Sequence, residues 1–134
     1  MLSIRRVSDQ LGRILIVDDE AAIRFALVEY FRGSGWTVDS ASEKEEAEAL
    51  LACTPYTVVI ADLRLTGTHG VEGLDIVQSS RHLSPETRVV LLTGNATPEI
   101  EAEARRLGAD AFLQKPLPLA ELEAIVEGLV AQVR

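Results

Sequence analysis

Five short apolar runs rich in β-branched residues alternate with five longer stretches of helical periodicity, a rhythm that restricts the chain to an α/β domain on a parallel sheet. The runs are RILIVDD (13–19), WTVDSA (36–41), TVVIADL (57–63), RVVLLTG (88–94) and DAFLQKP (110–116). Three of them are almost unbroken apolar segments, which predicts strands covered on both faces, because a strand with one wet face would alternate. Between the runs, the spacing predicts a first helix over 20–32, with Ile23, Ala26, Leu27, Tyr30 and Phe31 on its buried stripe. A second helix is predicted from Ser42, whose SEKE reads as a capping box closed by Glu45, and a third from Glu72 or Gly73 to His82. The fourth opens with Thr97 as cap and Pro98 in the first turn and stops at Gly108, and the fifth runs over 118–133. The order is (βα)5, a doubly wound five-stranded parallel sheet. Residues 1–12 read as a short N-terminal extension and 13–134 as one domain.

Composition narrows the function classes. No apolar run approaches the roughly 18 residues of a membrane span, so membrane insertion is not expected. The N-terminal MLSIRRVSDQLG has neither a continuous apolar stretch nor a small-residue cleavage site, so it does not read as a secretory signal. Cys53 is the only cysteine, which excludes an intrachain disulfide and fits a cytoplasmic location. A formal net charge of −8 disfavours direct contact with nucleic acid.

In an open parallel sheet, ligands gather at the carboxyl ends of the strands. Here the first run ends on Asp18 and Asp19, the third on Asp62, the fourth on Thr93 and the fifth on Lys115. Two carboxylates about 4 Å apart repel by about 4 kcal/mol at an intermediate dielectric, so three of them together require a counter-charge. Oxygen-only ligands point to a hard divalent cation, Mg²⁺ rather than zinc, which would look for histidine or cysteine. Lys115, one of two lysines in the chain, lies at a strand end, where an ammonium can neutralise added negative charge. Thr93, followed by Gly94, can donate a hydrogen bond to an oxyanion there.

These residues, each at the end of its own strand, carry a resemblance. The VDD pair Asp18 and Asp19, Asp62 after VVIA, Thr93 in LLTG and Lys115 in KP resemble the receiver domain of two-component response regulators. The resemblance covers residues 13–134 and implies the flavodoxin-like strand order 2-1-3-4-5. It implies that Asp62 accepts a phosphoryl group from a histidine kinase or histidine phosphotransfer protein. It further implies Mg²⁺ held by Asp19 directly, by Asp18 through water, by Asp62 and by the backbone carbonyl of Arg64. Lys115 would pair with the acyl phosphate, Thr93 would turn inward to bind it, Phe112 would be the aromatic switch residue, and the Lys115–Pro116 peptide would be cis. A domain of this kind would act by changing partners rather than by turning over an external substrate, and since the sequence stops after the fifth helix no effector is expected, unless it is a fragment of something longer.

The loop after Asp62 departs from the family pattern. Thr66 replaces a customary proline, and the glycine before LDIV is Gly73, eleven residues on, so the loop reads as about three residues longer. Arg64 and Asn95 flank the expected path of hydrolytic water and are expected to tune the lifetime of the phosphoryl group. Phe25 and Val28 fall away from the buried stripe of the first helix, beside the acidic residues, and are expected to dock the phosphodonor protein. Two other classes compete with this reading. A Mg²⁺-dependent aspartyl phosphohydrolase would commonly carry a second acid where Arg64 stands, and the complete set of site residues argues against a non-phosphorylated adaptor. The cognate kinase, the downstream protein target and a homodimer through the last two helices are left open by the sequence.

Overall fold

The computed structural model describes residues 12–65 and 70–132. Thr66, His69 and Val133, together with all but the last residue of the N-terminal extension, lie outside the described residues. Five strands, β1 (Arg13–Val17), β2 (Thr37–Ala41), β3 (Val58–Asp62), β4 (Arg88–Thr93) and β5 (Ala111–Gln114), form one parallel sheet in the order β2-β1-β3-β4-β5. They alternate with helices α1 (Ala21–Gly33), α2 (Lys44–Cys53), α3 (Glu72–Leu83), α4 (Pro98–Leu107) and α5 (Leu119–Ala131).

The two faces of the sheet follow from the two-residue strand period. Ile14, Ile16, Val58, Ile60, Val90 and Leu92 pack against Leu27 and Phe31 of α1 and Leu122 and Val126 of α5. Leu15, Val17, Val59, Ala61, Val89 and Leu91 pack instead against α2, α3 and α4. Because parallel crossovers are right-handed, a chain that leaves β1 for β2 and then returns to β3 must change faces, which puts helices on both sides. β1, β3 and β4 are therefore buried on both faces, which is why their sequences are unbroken apolar runs.

Helix ends follow local chemistry. The Thr97 hydroxyl accepts from Ile100 N–H at 3.2 Å, Pro98 opens α4, and Gly108 closes it with φ 115°, a left-handed conformation that costs glycine little. The start of α2 differs from the predicted capping box. The N-cap is Glu43, and Glu46 rather than Glu45 reaches back, accepting from Ser42 N–H at 3.0 Å.

The first helix is also turned relative to the predicted stripe. Val28 is buried and Ala26 is exposed. The cause is the edge strand: α1 lies over both β1 and β2, and Val28 joins the cluster containing Val38 of β2 and Trp36 just before it. The expectation that Val28 is a docking residue is therefore wrong, while Phe25 is 67% exposed.

Candidate functional site

The order of the strands reverses between β1 and β3, and the loops on either side of that point diverge to leave a crevice at the carboxyl end of the sheet. Asp18 and Asp19 follow directly on β1, Asp62 ends β3, Thr93 ends β4, and Lys115 follows directly on β5. They lie at the ends of four adjacent strands, and they converge. One oxygen from each of Asp18, Asp19 and Asp62 lies within 4.8 Å of the others. Lys115 Nζ donates to Asp62 Oδ2 at 3.4 Å. Asp19, Asp62, Arg64, Thr93, Asn95 and Lys115 line a cleft of about 360 Å³.

Burial is graded across the acids. Asp19 is exposed, whereas Asp18 and Asp62 are buried. Desolvation pushes the Asp18 carboxyl above the ordinary aspartate value of 3.8; the charges of Asp62 and Asp19 push it further, against the Glu20 N–H and Lys115. Asp62 is also raised, mainly by burial and further by Asp19, against Lys115 and the backbone N–H of Arg64. Lys115 opposes this rise without cancelling the cost of burying the two carboxylates, and a donor set of carboxylate oxygens suits a hard divalent cation.

Asp18 is braced for a positioning role. Its Oδ1 accepts from Glu20 N–H at 2.9 Å and its carbonyl oxygen accepts from Arg24 Nη1 at 2.7 Å, which ties the acidic loop to the first turns of α1. Thr93 is buried, and its hydroxyl accepts from Asn95 N–H at 3.2 Å. Phe112 is buried on the face covered by α2, α3 and α4, in register with Leu91 of β4. The Lys115–Pro116 peptide is cis. Arg64 Nη1 donates to Gly70 O at 3.3 Å, which holds the two described ends of the long loop together.

The family model of the response regulator receiver domain matches residues 14–127. The chain belongs to that family. Among similar receiver-bearing proteins is the alginate biosynthesis transcriptional regulatory protein AlgB of Pseudomonas aeruginosa, 33% identical over 95% of this chain and 30% of its own length. The transcriptional regulatory protein QseB of Escherichia coli O157:H7 is 33% identical over 88% of this chain and 52% of its own. The chain thus spans about half or less of either relative. The CheY-like receiver domain of Methanospirillum hungatei superposes with a TM-score of 0.80 at 28% identity, over 90% of this chain and 94% of that one. A Burkholderia pseudomallei response regulator, solved with a phosphorylated aspartic acid, calcium ion and citrate, superposes with a TM-score of 0.79 at 25% identity, over 90% of this chain and 69% of that one.

Two residues of this receiver domain gain a role that the sequence did not announce. Gly73 opens α3 against the end of β3: a Cβ there would lie 2.7 Å from Leu63 Cα and 2.8 Å from Asp62 O. The glycine stood out in the sequence only by its offset from the family position. Gln114 uses its side-chain amide on the loop after Thr93, and no sequence pattern marks it.

Proposed function

We propose that Asp62 is the phosphoacceptor of this receiver domain, that the acidic cluster holds Mg²⁺, and that the protein domain is 13–134 with 1–12 as a short extension. The carrying observation is the convergence of three carboxylates with the Lys115 ammonium on one cleft at the sheet's switch point. An Asp62 oxygen attacks the phosphorus of a phosphohistidine, the new O–P bond forms, and the N–P bond breaks with its electrons returning to the imidazole. Lys115, already bonded to Asp62, neutralises the incoming charge, and the Thr93 hydroxyl supplies a further donor. When bound at Asp18, Asp19, Asp62 and the Arg64 carbonyl, Mg²⁺ supplies charge neutralisation for the phosphoryl oxygens. The chain acts as a stoichiometric acceptor rather than a turnover enzyme, in the cytoplasm. Among the described residues, no helix is long and apolar enough to cross a membrane. Incubation with acetyl phosphate and Mg²⁺ followed by mass spectrometry tests the reading: an adduct on Asp62 supports it, and an unmodified protein sinks it.

Metal and pH effects follow from the raised carboxyls. Above the raised folded values, Asp18 and Asp62 are charged in both states and the fold carries the cost of burying them charged, with their repulsion added to it. Between those values and the ordinary 3.8, the folded chain binds protons that the unfolded chain does not, so these two groups make the metal-free domain more stable as pH falls through that window. Millimolar Mg²⁺ is expected to raise the thermal midpoint by about 4–8 °C at neutral pH, with the gain shrinking as protons compete in that window. Thermal unfolding with and without Mg²⁺ across pH measures both trends.

The phosphodonor protein is proposed to dock over Phe25, which is exposed in the first turns of the helix that follows Asp18 and Asp19. Phe25→Ala should slow transfer from a phosphohistidine protein roughly five- to tenfold while leaving acetyl phosphate unaffected. Equal slowing of both donors would place the fault in the chemistry rather than in docking. Arg64 and Asn95 line the cleft together with Asp62, and they are proposed to flank the path of hydrolytic water. Replacing both by alanine should change the rate of phosphoryl loss measurably in a discontinuous hydrolysis assay, and an unchanged rate would remove them from that role.

A further inference from the structure

The segment after β4 is held by one exposed side chain. Gln114 Nε2 donates to Gly94 O at 2.9 Å and to Lys115 O at 3.2 Å, and Gln114 Oε1 accepts from Ala96 N–H at 3.1 Å. Two carbonyls face the nitrogen and one N–H faces the oxygen, so the network itself fixes the orientation of the amide. Glutamate would lose the donors, and asparagine is shorter by a methylene. Gln114 pairs in register with Thr93, and Lys115 N–H donates to Thr93 O at 2.8 Å, so the clamp begins where the ladder ends.

Little else holds this segment. Gly94 and Asn95 are exposed, a Cβ on Gly94 would meet nothing within 4 Å, and only Ala96 of the three packs against the core. A Thr93 hydroxyl turned toward a phosphoryl group on Asp62 gives up the hydrogen bond that it now accepts from Asn95 N–H. That release falls in the middle of the segment that the Gln114 amide bridges from Gly94 O to Ala96 N–H.

We propose that Gln114 is a positioning residue that clamps the segment 94–96 in the unphosphorylated arrangement and so opposes the closure of Thr93 on the phosphoryl group. The inference rests on Asp62 as phosphoacceptor. Releasing the clamp leaves fewer hydrogen bonds to break on closure, so the phosphorylated arrangement becomes easier to reach.

The test uses the full chain with Mg²⁺ and beryllofluoride as a phosphoryl mimic, with affinity read by calorimetry and the Ala96 amide followed by hydrogen exchange. In Gln114→Leu, exchange of the Ala96 amide should accelerate and beryllofluoride should bind about three- to tenfold more tightly, while affinity for Mg²⁺ alone stays that of the parent. Gln114→Glu, which keeps the acceptor and loses both donors, should move in the same direction. A side chain with a purely structural role would alter thermal stability and leave the ratio of the two affinities alone. Unchanged or weaker beryllofluoride binding by both variants overturns the clamp, as does an Ala96 amide already unprotected in the parent. A parent that binds Mg²⁺ but no beryllofluoride overturns the phosphoacceptor reading, and the clamp with it.

Discussion

Asp62→Asn is expected to abolish the acyl-phosphate adduct formed with acetyl phosphate, leaving a protein of unmodified mass under conditions that label the parent. The amide matches the carboxylate in size but lacks the anionic oxygen that must attack phosphorus. The variant should fold, because the substitution removes a buried charge that burial and Asp19 both disfavour. In the absence of metal it should be at least as stable as the parent, and its gain from Mg²⁺ should shrink. An adduct of parental yield would mean that another carboxylate, such as the exposed Asp19, is the acceptor.

Gly73→Ala should have the largest effect on folding of any single methyl added near the site. Its Cβ would meet Leu63 Cα at 2.7 Å, Asp62 O at 2.8 Å and Leu63 O at 3.1 Å. All three are backbone atoms that no side-chain rotation can clear. Gly73 N–H also donates to Leu63 O at 2.9 Å, so relief by lifting α3 breaks the bond that seats it. The expected loss is about 2–3 kcal/mol by chemical denaturation, together with slower labelling of Asp62. Gly128 is the control: it is exposed within α5 with nothing within 4 Å of its would-be Cβ. Gly128→Ala should stabilise by about 0.5–1 kcal/mol, since alanine is the better helix former. Similar losses for both would show that the packing of α3 on β3 is not what Gly73 serves.

The sheet was legible because its central strands are apolar on both faces, a constraint that writes itself into consecutive residues. The site was legible for a related reason: Asp18, Asp19, Asp62, Thr93 and Lys115 each interrupt or follow an apolar run, so their polarity marks where a strand ends. What stayed hidden depended on neighbours distant in sequence. Val28 looked exposed on an ideal helical wheel, yet it is buried because α1 also covers β2. Glu45 and Glu46 are both acids near a helix start, and only the three-dimensional path of residues 42–44 selects Glu46. Gln114 bonds a segment eighteen and twenty residues before it, and nothing about a lone glutamine before Lys115 declares that.

Lys115 follows directly on β5, while the carboxylate it holds belongs to β3, with β4 between them. Two strand spacings, close to 10 Å, are bridged by one flexible tether passing over the end of β4. A change of charge at Asp62 therefore tugs on the outermost strand by a route that bypasses the packed interior. Mechanically, the rim of the sheet is wired to its centre, through the strand that has a free edge.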